Sequence, residues 1–162
     1  MDKIKVLKRT RNLLQTSTDY EWGRLDSCNL GFLIRGAFGR HQLKMEEKGD
    51  WVHLIRNFRN SRDSRADQIL MQLFDLGFSV SELEGFEYLS SPSVLKYQPE
   101  KRKLYCSDKN DAIEYLNNWI SLEIKRLLPS WNPAIEILKL ESNSRSEHVN
   151  PIADKRPFER NP

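Results

Sequence analysis

Cysteine is scarce in this chain, two residues in 162, and histidine is hardly commoner at three. Cys28 and Cys106 stand far apart with no close Cys/His spacing, so neither a disulfide framework nor a structural zinc site is expected, and both thiols should be free. Long apolar runs are missing as well. No segment approaches the ~18 uninterrupted apolar residues of a membrane span, and MDKIKVLKRTRNLLQ carries charges where a signal peptide needs an apolar core. The expectation is a cytoplasmic protein that does not meet a membrane and needs no cofactor or metal. Net charge is also small, +3 from 26 basic and 23 acidic residues, so attraction to phosphate is weak and nucleic acid is disfavoured as a partner. Sustained β-type alternation is lacking, and only KLYC around Leu104 is ambiguous.

What is present is a composition of 38% hydrophobic and 30% charged residues, enough apolar material in one domain to build a core without staples. Ile4, Leu7 and Leu14 lie on one face of a basic amphipathic helix over residues 3 to 15. A second helix follows Ser27, where Leu30, Leu33, Ile34 and Phe38 repeat at helical spacing and Asp26 or Ser27 offers a cap. HQLKMEEK reads as a short helix ended by Gly49, and Asp50 then caps a helix whose apolar face is Trp51, Leu54, Ile55 and Phe58. Asp63 or Ser64 opens the next, which Gly77 stops, and Ser79 with Glu82 has capping-box spacing. Ser91 and Pro92 start a short turn. The longest helix follows Ser107 or Asp108, with Ala112, Leu116, Trp119, Ile120 and Leu127 spaced to cover a core up to Pro129. The fold class is therefore all-α, a single-domain multi-helix bundle over residues 1–128. A polar, Pro-containing C-terminal extension covers 129–162, where PAIEILKLE is a possible docking segment and residues from about 142 are expected to be disordered.

Chemistry concentrates in YEWGRLDSCNLG, Tyr20 to Gly31. A thiol in the first turn of a helix lies near unpaired amides and the positive dipole end, which lowers its pKa and can stabilise an oxyanion. Cys28 is thus a candidate nucleophile, with His41 or His53 as base, His148 lying in the tail. Equally, Cys28 is a small apolar filler, while Tyr20 and Trp22 pin the loop and Gly23 supplies a turn.

The order Tyr-x-Trp-Gly before a Cys resembles papain-like cell-wall peptidases. Arg24 replaces their second Gly, Ser27 separates Asp26 from Cys28, and no strand is expected to carry their later His. A longer likeness, over about residues 20 to 125, is to an uncharacterised bacterial protein family with Tyr-x-Trp-Gly, Ser-Cys-Asn-Cys-Gly, a later His, Gly-Asp-Trp and Cys-Pro. Tyr20, Trp22, Gly23, Ser27, Cys28, Asn29, Gly31, His41, Gly49, Asp50 and Trp51 match it, and DLGFSVSELEGFEYLSSPSVLK and NDAIEYLNNW extend it. Leu30 and Arg59 stand where that family has further cysteines. The resemblance carries over Cys28 with His41 and implies no activity.

Three readings follow. The first is a helical module that binds a protein or small-molecule ligand through Tyr20, Trp22, Gly23, Ser27 and Trp51. The second is a cysteine-dependent hydrolase or transferase with Cys28 as nucleophile and His41 as general base. The third, nucleic-acid binding through the N-terminal helix and the basic residues 101–103, rests on charge alone, without an accompanying aromatic stacking motif.

Overall fold

The computed structural model describes residues 2–39, 51–58 and 64–128. Among them every regular element is helical: α1 (Lys3–Thr16), α2 (Asn29–Phe38), α3 (Trp51–Arg56), α4 (Ser64–Asp75), α5 (Val80–Glu87), α6 (Pro92–Leu95) and α7 (Lys109–Leu127). The all-α expectation holds, and KLYC is irregular chain. These helices belong to one unit, Met1–Leu127. The expected HQLKMEEK helix, Gly49, Asp50 and the tail from residue 129 lie outside the described residues.

Local signals explain where the helices begin. The Asp2 side chain accepts the Lys5 N–H at 2.8 Å and caps α1. Ser79 and Glu82 close the capping box at the head of α5, and Pro92 opens α6 behind Ser91. The end of α5 is less ordinary. Ser90 N–H bonds to Gly85 O at 2.8 Å and Leu89 N–H to Phe86 O at 3.3 Å, the paired bonds of a Schellman turn. That turn needs a left-handed residue, usually Gly, yet here Leu89 holds φ 50. Its buried side chain offsets the strain by joining the core.

Helix α2 is the centre of the fold. Every residue from Asn29 to Ala37 is buried, the mark of a helix enclosed on all sides. α1, α4 and α5 pack on it, α3 bridges α4 and α5, and α7 joins α1 to α6. The α1–α2 crossing is tight because Gly36 faces Thr10: a Cβ at Gly36 would collide with the Thr10 hydroxyl oxygen and lie 3.0 Å from its backbone nitrogen. Thr10 is itself satisfied there, its hydroxyl donating to Val6 O at 2.9 Å. The stripe of α1 that faces the core is Val6, Leu7, Thr10 and Leu14, with Ile4 only half-buried.

On the other side Phe78, Phe86, Tyr115 and Trp119 form an aromatic cluster with centroid separations from 5.7 to 6.2 Å. Lys3 lies over the Phe78 and Trp119 rings at 5.3 and 5.5 Å. Its ammonium meets Glu82 at 2.6 Å and Glu123 at 3.4 Å, and Arg126 shares the same two carboxylates at 3.4 and 2.7 Å. The basic loop is anchored too. Arg102 pairs with Asp111 and Glu114, each at 2.5 Å, and Asp111 also accepts the Tyr105 N–H at 2.8 Å. Leu127 does not cover the core as its spacing suggests. It is 70% exposed, because the buried face of α7 ends at Ile120.

Replacing Gly36 by Ala tests the crossing. Helix propensity alone would favour Ala by about 1 kcal/mol, whereas forcing a methyl into a packed contact costs about 1–3 kcal/mol. We expect a lower melting temperature for Gly36→Ala; an unchanged or higher one would show that α1 and α2 have room to spare.

Candidate functional site

The Tyr20–Gly31 corner is a folded turn seated on the head of α2. Glu21 N–H bonds to Ser27 O at 3.0 Å, and Ser27 and Cys28 N–H both bond to Arg24 O, at 3.1 and 2.9 Å. Cys28 is the N-cap residue, one position ahead of the first turn where its sequence context suggests it. Neither Asp26 nor Ser27 caps the helix. The Ser27 hydroxyl donates to Asp26 at 3.1 Å instead, and a Cβ at Gly31 would lie 2.7 Å from the Asp26 carbonyl carbon, so the turn rests directly on the helix.

The cap comes from α5. The buried Glu87 carboxylate accepts the Leu30 N–H at 2.9 Å. In return the Asn29 side-chain amide donates to the carbonyls of Phe86 and Glu87, at 3.3 and 3.0 Å. The positive end of one helix thus meets the negative end of another, each satisfying the other's unpaired backbone groups. Tyr20 closes the arrangement, its hydroxyl donating to Asn29 Oδ1 at 2.8 Å and touching the Cys106 carbonyl. Trp51 seals the outer side by donating its indole N–H to Leu25 O at 2.7 Å.

Cys28 sits inside this lattice at 2% exposure, its sulfur 4.0 Å from Leu25 O. Burial pushes its thiol pKa well up, and the Glu87 carboxylate pushes it further; the Gly31 and Leu30 amides act in the opposite sense without prevailing. Burial likewise raises the Tyr20 phenol. Cys106 is half-buried, and its thiol is raised, first by burial.

Of the residues expected to contact a ligand, Trp51 and Ser27 are buried, as is the candidate nucleophile Cys28, and Tyr20 is half-buried with its hydroxyl engaged. Trp22, 42% exposed, and Gly23 face solvent. His41 lies outside the described residues, and His53 is exposed on α3, bonded to Asn57. The sequence reading missed Glu87 and the role of Asn29. One signal was available: Glu87 is an acid in the last turn of a helix, where its own dipole disfavours it, and such a misplaced charge calls for a partner elsewhere. Among the described residues no group of three or more His, Cys, Asp or Glu side chains is placed to hold a metal, and no helix is long and apolar enough to cross a membrane.

An open cleft lies instead between α1 and the C-terminal half of α2, about 610 Å³ in volume. Leu13, Ala37 and Phe38 contribute apolar lining; Arg9, Asn12 and Thr16 bring polar groups from α1. Arg35 joins them with its guanidinium stacked 4.3 Å from the Phe32 ring and paired with Asp19 at 3.1 Å. Comparison with protein-family models, with curated proteins and with solved structures finds no match.

Two outcomes are expected at the corner. In native protein at neutral pH, iodoacetamide should modify Cys106 and leave Cys28 untouched until denaturant is added, because a raised pKa lowers the thiolate fraction and burial blocks access; native-state labelling of Cys28 first would refute the packing described. Glu87→Ala should lose about 1–3 kcal/mol in urea unfolding, since the Leu30 N–H is left buried without an acceptor. Glu87→Gln should recover part of that loss, and two neutral variants would show that the carboxylate does not hold the helix.

Proposed function

We propose that this chain is a non-catalytic binding module whose ligand enters the α1–α2 cleft and carries an acidic group beside an apolar one. The observation that carries this reading is the contrast between the two places. At the corner, the polar groups described are engaged with one another and the thiol is enclosed. The cleft combines an apolar wall with the Arg9 side chain, the Arg35 guanidinium already paired with Asp19, and open volume of the size that small ligands use.

The hydrolase reading, with Cys28 as nucleophile and His41 as base, draws little support from this arrangement. It needs a thiolate, and both burial and Glu87 oppose one. It also needs amide donors for an oxyanion, and the Leu30 N–H is already given to Glu87. The binding reading asks nothing of either group.

Calorimetric titration with octanoate, octylamine and octanol tests the proposal. Octanoate should bind and the amine should not. Asn12→Trp, which fills the cleft from an exposed position, should abolish the octanoate signal, and Arg9→Gln should weaken it. Equal binding of all three amphiphiles, or octanoate binding indifferent to both substitutions, would overturn it.

A further inference from the structure

A second concavity, about 670 Å³, runs along α5 and α6 with contributions from the ends of α3 and α7. Its chemistry is unlike that of the α1–α2 cleft. Five serines line it, Ser79, Ser81, Ser90, Ser91 and Ser93; Ser79 and Ser91 stand at the N-caps of α5 and α6, whereas Ser81, Ser90 and Ser93 answer no capping need. They stand in pairs, Ser79 with Ser81 at 3.2 Å and Ser91 with Ser93 at 2.9 Å. Each hydroxyl has one proton to donate and two lone pairs to offer. That of Ser79 is already spent on Glu82, donating to its carboxylate at 3.0 Å and accepting its backbone N–H at 3.3 Å, so the capacity left toward the groove is that of Ser81 and Ser93.

The charges in the groove cancel. Arg56 meets Glu84 at 2.8 Å and Arg126 meets Glu82 at 3.4 Å, so each guanidinium is matched by a carboxylate. The amides at the head of α5 are likewise occupied by the Ser79–Glu82 capping box, and Glu82 places negative charge where an anion would otherwise settle. Burial works to raise the Glu82 pKa, but Lys3 and the Ser79 N–H hold it below the ordinary carboxylate range, so that charge persists at neutral pH. An ionic ligand of either sign therefore gains no net field here. Tyr88, 39% exposed, and Pro92 add apolar surface at the same lining.

Hydroxyl pairs, neutralised Arg–carboxylate pairs that offer both donors and acceptors, and a half-open aromatic ring fit one ligand class. We propose that this groove binds a neutral polyhydroxylated molecule, a mono- or disaccharide, whose hydroxyls bond to the serines and ion pairs while an apolar C–H face lies on Tyr88. The site is separate from the α1–α2 cleft and stands or falls independently of it.

Nitrogen–proton correlation spectra recorded during titration with glucose, N-acetylglucosamine, maltose and glucose 6-phosphate test it. At least one neutral sugar should shift amides within Ser79–Ser93 selectively and saturably, and glucose 6-phosphate should bind no better than glucose. Tyr88→Ala should weaken binding about tenfold, equivalent to about 1.4 kcal/mol. Ser81→Trp, an exposed position at the groove, should block binding with the remaining spectrum unchanged, which checks that the fold survives. The proposal is overturned if no neutral sugar produces saturable shifts, if the shifts survive both substitutions, or if the phosphorylated sugar or inorganic phosphate binds more tightly than the neutral one.

Discussion

The packing of this protein turns on two helix ends facing each other. The first amides of α2 and the last carbonyls of α5 are groups that each helix leaves without an internal partner, and both are buried. Glu87 and Asn29 exchange hydrogen bonds across that junction, so that neither end is stranded in a low-dielectric interior where an unmet donor is costly. Tyr20, Trp51 and the turn over Gly31 then have a fixed surface to pack on. Because α2 is enclosed along its length, its position sets that of α1, α4 and α5.

The same junction decides the character of Cys28. A helix start is electrostatically favourable to a thiolate, but Glu87 supplies the negative charge there first, and a second anion alongside it in a buried setting is disfavoured twice over. Occupancy of the N-terminus by a carboxylate from elsewhere thus turns a position suited to a nucleophile into one suited to a neutral, apolar sulfur. Residue type and spacing are alike for the two outcomes. The difference lies in what the rest of the chain delivers to the spot.

How much could be read beforehand follows from that distinction. The Ser79–Glu82 box, Pro92 behind Ser91, Gly77 after α4 and the apolar period of α7 are local features, and the helices they imply appear at those positions. Failures fall where a partner distant in sequence decides. Glu87 caps a helix 57 residues away. Trp51 looked like a recognition aromatic but donates to Leu25 from inside the core. Periodicity carries Leu127 inward, yet the last buried residue of α7 is Ile120; beyond it Leu122 is partly buried against the core and Glu123 is held by Lys3, while Leu127 is left exposed. On α1 the count of apolar residues missed Thr10, whose burial is possible only because its hydroxyl returns to Val6 and Gly36 leaves space. The α1–α2 cleft had no signature at all, since its lining joins one stretch of α1 to the end of α2, and the two meet only after folding.

The ion cluster around Glu82 brings the opening residues of α1 and the closing turn of α7 onto one side chain: Lys3 and Arg126 both reach it. The helical unit is therefore nearly a closed loop. Joining its ends would need only a short connection, and the chain could be opened at another exposed turn while preserving every helix contact. The order in which the helices are synthesised is then a separate matter from the way they are arranged.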